Sequence, residues 1–200
     1  MHQAVFEAFE SICKERGACG RVLEVGAVPT RQSLLNLPAL GGASEKIGVN
    51  LDPPGDFADY RIVQANANDL GVFADAWFDT VICNAVLEHD RFFWRSLAEF
   101  RRVTRSGGLI ILGVPGFQKS GLDRCGQVLM KTPLLRRLRK HPLWNCLFYS
   151  TLTFMVHDYP GDYYRFSPQA VEEVLFEGMK HVQVLSIMTP PRLIGSGIRP

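Results

Sequence analysis

The chain has 200 residues, 46% of them hydrophobic, with 22 basic against 20 acidic side chains. One compact domain spanning 1–200 is therefore expected, and disordered or fibrous structure is excluded. No apolar run reaches the roughly 18 uncharged residues that span a bilayer, and Met1 to Arg16 lack a basic stretch followed by an apolar block, so neither a spanning helix nor secretion is expected. Five cysteines without a CxxC pair suit reduced thiols in a cytoplasmic protein, with no structural metal.

In chain order, Val5, Phe6, Phe9, Ile12 and Cys13 share one stripe of a helix that Gly17 and Gly20 stop. Arg21 to Gly26 and Lys46 to Asp52 read as buried strands. Arg31 to Leu40 between them is long enough for a short helix, which makes a right-handed βαβ unit. Arg61 to Ala65 and Phe78 to Asn84 give a third and a fourth strand. A helix from about Phe92 to Thr104 leads through Ser106-Gly107-Gly108 into Leu109 to Val114, a nearly all-apolar fifth strand suited to a central position. Ser167 caps a helix with Pro168 at its first position, running to Phe176, and Val182 to Met188 makes a sixth strand. The fold class is α/β, a doubly wound, mostly parallel Rossmann-like sheet. A seventh strand is not expected, because Pro190, Pro191 and the stretch from Gly195 to Pro200 are poor strand formers.

The interval between the fifth strand and the Ser167 helix exceeds ordinary loop lengths and reads as a structured helical insert, 117–166. It is basic: from Phe117 to Val156 there are seven Lys or Arg and one acid, Asp123. Within 131–156, Arg136-Arg137-Leu138-Arg139-Lys140 precedes Leu143-Trp144 and Leu147-Phe148-Tyr149. A lid helix with solvated arginines and peripheral contact with an anionic membrane surface both fit that pattern. Nucleic acid is not an expected partner, since the domain lacks a broad positive field.

In open α/β sheets a ligand sits beyond the carboxyl ends of the strands. The candidates are Glu24 and Gly26, then Asn50 and Asp52, then Asn66 to Asp69, then Asn84 to Asp90. The first turn, Gly26-Ala27-Val28-Pro29-Thr30, is a poor phosphate cradle, because Pro29 has no N–H and restricts Val28. A nicotinamide dinucleotide is thus disfavoured. A ligand with a carboxylate, an ammonium and ribose hydroxyls but no phosphate asks less of this turn, and S-adenosylmethionine is such a ligand.

These residues, in this order, resemble the class I S-adenosylmethionine-dependent methyltransferases of the methyltransferase-domain 11 type. Val22-Leu23-Glu24-Val25-Gly26 looks like their first motif, Ile47 to Asp52 like the second, and Ala65 to Leu70, with Asn66 and Ala67, like the adenine-contacting stretch. Phe78 to Val81 with Asn84 to His89 resembles the fourth motif, and Glu99 to Leu109 the helix and turn before strand five. His157 to Ser167 is similar to a segment common in bacterial members near sugar and glycan pathways. The resemblance implies methyl transfer from S-adenosylmethionine to a small-molecule or glycan-type acceptor, or else a binding module in which catalysis has been lost. The chain departs from the family at Val28 and Thr30, where glycines are usual, and at Asn50 and Asn66, where acids are usual. It also has Ser106 for a proline.

Bland readings stand beside each functional one. Glu24 is a cofactor-site carboxylate or half of a structural ion pair. Asp52 serves the ribose or a turn, and Asp79 satisfies turn N–H groups. His89 and His157 are the candidate general bases if a hydroxyl is methylated, although His89 also suits packing or helix capping. Tyr163, Tyr164 and Arg165 either face the substrate or form a corner in which Arg165 pairs with Asp162 or Asp158.

Overall fold

The computed structural model describes residues 2–57, 59–117, 161–188 and 190–200. The strands are β1 (Arg21–Val25), β2 (Glu45–Asn50), β3 (Gly55–Phe57), β4 (Tyr60–Gln64), β5 (Phe78–Asn84), β6 (Thr104–Pro115), β7 (Lys180–Met188) and β8 (Pro191–Ile198). The helices are α1 (Gln3–Arg16), α2 (Phe93–Val103) and the single turn α3 (Pro168–Ala170), which continues as a π-helical turn over Val171–Leu175. One sheet results, ordered β3-β4-β2-β1-β5-β6-β8-β7. β4, β2, β1, β5 and β6 run parallel, β8 runs antiparallel between β6 and β7, and β3 folds back antiparallel on β4.

Each face of the sheet has its own core. Leu23, Val25, Val81, Cys83 and Leu112 pack under Leu97, Phe100 and Phe176 on one side. Val22, Ile82 and Ile111 pack under Phe9, Leu34 and Leu35 on the other. Burial on both faces explains the short, continuous apolar runs of β1 and β6. Because the chain passes from β1 to β2 on one side while β5 lies on the other, the strand order reverses at β1, and the crevice of the doubly wound fold opens at the carboxyl ends of β1 and β5.

Four elements differ from expectation. Arg31 to Leu40 forms two 3₁₀ turns, Leu34–Asn36 and Pro38–Leu40, in place of one helix; Pro38 stops the first, and Glu24 captures the N–H groups of Leu34 and Leu35. The β3 arm was not anticipated. The Ser167 helix keeps its cap, with Ser167 Oγ accepting from Ala170 N, but leaves α geometry after one turn. The seventh strand that was not expected exists as β8, antiparallel between β6 and β7. Its glycines supply the space that made it look like a poor strand: the ring of Phe176 lies where Cβ atoms at Gly195 and Gly197 would be, while Leu193 and Ile194 are buried and Pro191 sits at the strand's first residue, where no ladder N–H is missed. The helical character expected of the insert falls on 118–160, outside the described residues.

Candidate functional site

The turn after β1 is closed on itself. Gly26, at φ 85°, adopts a left-handed backbone, and the place of its missing Cβ is taken by Val86 Cγ2. The close approach that this glycine permits is therefore made by the chain. Gly26 N and Ala27 N both donate to Val49 O, Asn50 Nδ2 donates to Ala27 O at 2.7 Å, and Tyr60 Oη donates to Val28 O and Thr30 O. Val28 and Pro29 are exposed, on the outside of the turn.

Glu24 is 4% exposed, and both its oxygens are engaged: Ser33 Oγ and Leu35 N donate to Oε2, and Leu34 N donates to Oε1. Burial pushes its carboxyl above the usual range, against the opposing pull of these three donors. The carboxylate thus braces the first 3₁₀ turn, by hydrogen bonds and without a cationic partner. Asn50 Oδ1 accepts Leu51 N at 2.7 Å and keeps one lone pair. Asp52 is exposed in the bend beyond β2, and among the described residues nothing bonds its carboxylate. Asp79 serves the fold, accepting from Arg21 N and Arg105 Nε.

The carboxyl end of β5 is different. Asn84 Oδ1 is buried with no hydrogen-bond partner among the described residues. It occupies the place of a Cβ at Gly113, beside the ring of Phe9. Ala85 follows at φ 58°, a region few non-glycine residues adopt, and directs Val86 onto Gly26. Glu88, 1% exposed, pairs through Oε1 with Arg192 Nη1 at 2.9 Å, while its Oε2 is buried without a partner. His89 is half-buried one residue on, its N–H donating to Val86 O. Buried polar atoms are nearly always bonded, and these two acceptors lack a donor among the described residues.

Two loops meet at this edge through α2. Asn66 Oδ1 accepts from Asn68 N, and Ala67 lies half-buried against the core. Asn68 Nδ2 donates to Asp90 Oδ2 at 2.7 Å and to Ser96 Oγ at 3.0 Å; Ser96 Oγ donates to the same Asp90 oxygen. Glu99 accepts from Leu70 N, and Arg102 grips Glu99, Asp75, Leu70 O and Phe73 O. Ser96, Glu99 and Arg102 were not singled out from the sequence, though a polar stripe at i, i+3 and i+6 on a helix with a buried apolar face is a legible signal. Glu88 fell within the strand-end range Asn84 to Asp90, but its pairing with Arg192 has no local sequence signal.

On the far side of the edge, Tyr163 N and Tyr164 N both donate to Glu88 O, Tyr164 Oη donates to Arg91 O, and Tyr164 packs edge-on against Phe93. Arg165 pairs with Asp162 through both carboxylate oxygens, and the hydrogen bonds it donates to that carboxylate push its guanidinium pKa up. The structure therefore brings Gly26, Asn50, Asn84 and His89 to one crevice, with Tyr163, Tyr164 and Arg165 docked on its Glu88 side. His157 lies outside the described residues.

Residues 23–112 match a family described as a methyltransferase domain. The match implies S-adenosylmethionine as the cofactor. No curated protein matches the chain in sequence. Three solved structures are similar in fold. A Haloferax volcanii methyltransferase in complex with the Trm112 methyltransferase activator is 15% identical, with 99% of this chain and 95% of that one covered and a TM-score of 0.59. An S-adenosylmethionine-dependent methyltransferase of Thermotoga maritima is 16% identical, covering 98% and 89% with a TM-score of 0.58. The 1,6-didemethyltoxoflavin-N1-methyltransferase of Burkholderia thailandensis, bound to 1,6-didemethyltoxoflavin and S-adenosylhomocysteine, is 16% identical, covering 98% and 79% with a TM-score of 0.60. The donor and acceptor chemistry here fits that cofactor: the unbonded oxygen of Asn84 suits an ammonium, and the remaining lone pair of Asn50 suits one ribose hydroxyl.

Proposed function

We propose that this chain transfers the methyl group of S-adenosylmethionine to a small-molecule acceptor. The observation that carries the reading is Asn84 Oδ1, a buried acceptor without a donor at the strand-order reversal. Asn84 would take a hydrogen bond from the cofactor's ammonium, Asn50 one from the ribose, and Asn66 and Ala67 would line the adenine side. Glu24 holds the turn beneath them. When bound, the cofactor supplies an activated methyl on its sulfonium, so the chain need provide no nucleophile. Its residues act by positioning, which can supply much of the acceleration. His89, half-buried after β5, would hold the proton of a hydroxyl acceptor, and an amine acceptor would leave it idle.

The Burkholderia thailandensis N1-methyltransferase, similar in fold, binds a small molecule, 1,6-didemethyltoxoflavin, which supports a small-molecule acceptor; no observation favours a glycan-type one over it. A second reading, a binding module without turnover, draws support from the turn that bonds its own Gly26 and Ala27 N–H groups to Val49. Calorimetric titration with S-adenosylhomocysteine, followed by methyl release from labelled S-adenosylmethionine over a panel of amine and hydroxyl acceptors, tests both. Micromolar binding with turnover on at least one acceptor is expected. Binding with no turnover on any acceptor selects the module, and no binding at millimolar ligand removes the enzymatic reading.

A further inference from the structure

The start of α2 shows an uncommon surface. Phe92 is 40% exposed, Trp94 53% and Tyr163 55%, and they form one cluster: Phe92 and Trp94 meet edge-on at 5.7 Å, Trp94 meets Phe93 at 5.6 Å, and Phe93 joins Tyr164 and, through it, Tyr163. The guanidinium groups of Arg91 and Arg95 lie over the ring of Phe92, at 5.6 and 5.0 Å from its centre. Both arginines are exposed, and neither pairs with a carboxylate among the described residues.

The acids nearby are already engaged. Asp162 is held by Arg165 and Glu88 is buried on Arg192, while half-buried Asp90 keeps its charge with its oxygens on Asn68, Ser96 and Phe92 N. With Arg91 and Arg95 exposed against that one carboxylate, the patch is net positive as well as aromatic. The electrostatic complement of exposed Arg91 and Arg95 is an anionic body.

We propose that the face formed by Arg91, Phe92, Trp94, Arg95 and Tyr163 docks on an anionic lipid bilayer. Aromatic rings with one polar edge and exposed arginines match the two layers of a membrane interface, the rings at the acyl boundary and the guanidinium groups among the phosphates. A nucleic-acid strand would need a basic track several phosphates long, and the described face offers two free cations. Arg91 and Phe92 follow directly on the β5 edge, so docking turns the candidate crevice toward the membrane, where an acceptor dissolved in or anchored to the bilayer is concentrated. The inference stands apart from the catalytic reading.

The test is co-sedimentation of the full chain with phosphatidylcholine vesicles, with and without 30 mol% phosphatidylglycerol, with S-adenosylhomocysteine titrated into the same preparations as a separate check of the crevice. The chain should pellet with the anionic vesicles only. Arg91→Gln combined with Arg95→Gln should lower the partition about 25-fold, from roughly fivefold per surface cation. In a Trp77→Phe/Trp144→Phe variant, emission from Trp94 should shift to the blue on anionic vesicles. Equal pelleting on both vesicle types, an undiminished partition of the double arginine variant, or retention on a single-stranded oligonucleotide without vesicle binding would each overturn the proposal.

Discussion

The turn after β1 and the edge after β5 carry two buried glutamates in opposite conditions. Among the described residues, Glu24 has three donors on two oxygens and no cation; Glu88 has one arginine on one oxygen and nothing on the other. The first region has satisfied its own polar groups, down to the N–H of Gly26 and Ala27. The second leaves Asn84 Oδ1 and Glu88 Oε2 open. Such atoms cost stability unless something completes them. The contrast teaches that the glycine turn satisfies its own polar groups while the β5 edge keeps acceptors that no described residue fills.

Four experiments break or sharpen that contrast. The largest effect is expected at the buried pair: Arg192→Met leaves Glu88 uncompensated and should cost about 3–5 kcal/mol in urea unfolding, most of it recovered by adding Glu88→Gln. Equal costs for the single and double variants would mean that the pair is not the reason. Glu24→Ala orphans three donors at about 1 kcal/mol or more each and should lower the thermal midpoint by roughly 6–12 °C for a chain of this length; an unchanged midpoint would show that the 3₁₀ turn does not depend on it. Asn84→Ala should weaken S-adenosylhomocysteine about 10- to 100-fold, the range for a hydrogen bond to a charged group, with the midpoint held or raised because an unbonded buried oxygen is gone.

The smallest effect is in pH. Hydrogen bonds from Arg102 hold Glu99 below the usual carboxylate range, and Asp79 is also lowered, burial being outweighed by Arg105 and Arg21. Both contributions are present above the ordinary carboxylate pKa and are lost as pH falls through the depressed values. Glu24, whose pKa is raised, runs the other way: its contribution is complete below the ordinary pKa and declines as pH rises through the raised one. Asp79→Asn with Glu99→Gln should therefore flatten the acid limb of a stability-pH curve, whereas an unchanged slope would place the acid sensitivity elsewhere.

Much of the sheet could be read directly, since β1, β2, β4, β5 and β6 announce themselves as short β-rich runs closed by turn residues. β8 could not, because its glycines make sense only once Phe176 is laid across them. The crossover failed as a helix for a related reason: Glu24 sets the turn from ten residues away, and no local propensity encodes that. At the site, position was legible and bonding was not. Asn84 was placed at the edge by the strand-end rule, but that its oxygen lacks a donor emerges only from packing against Gly113 and Phe9. The pairing of Arg165 with Asp162 was one of two partners the spacing allowed.

The most direct test of the account is a crystal structure of the chain with S-adenosylhomocysteine. The expected result is the ligand's ammonium at about 3 Å from Asn84 Oδ1, with Glu24 still bonded to Ser33, Leu34 and Leu35. A ligand whose amino-acid end lies away from Asn84, or a Glu24 swung out of its turn to reach that ligand, would contradict it.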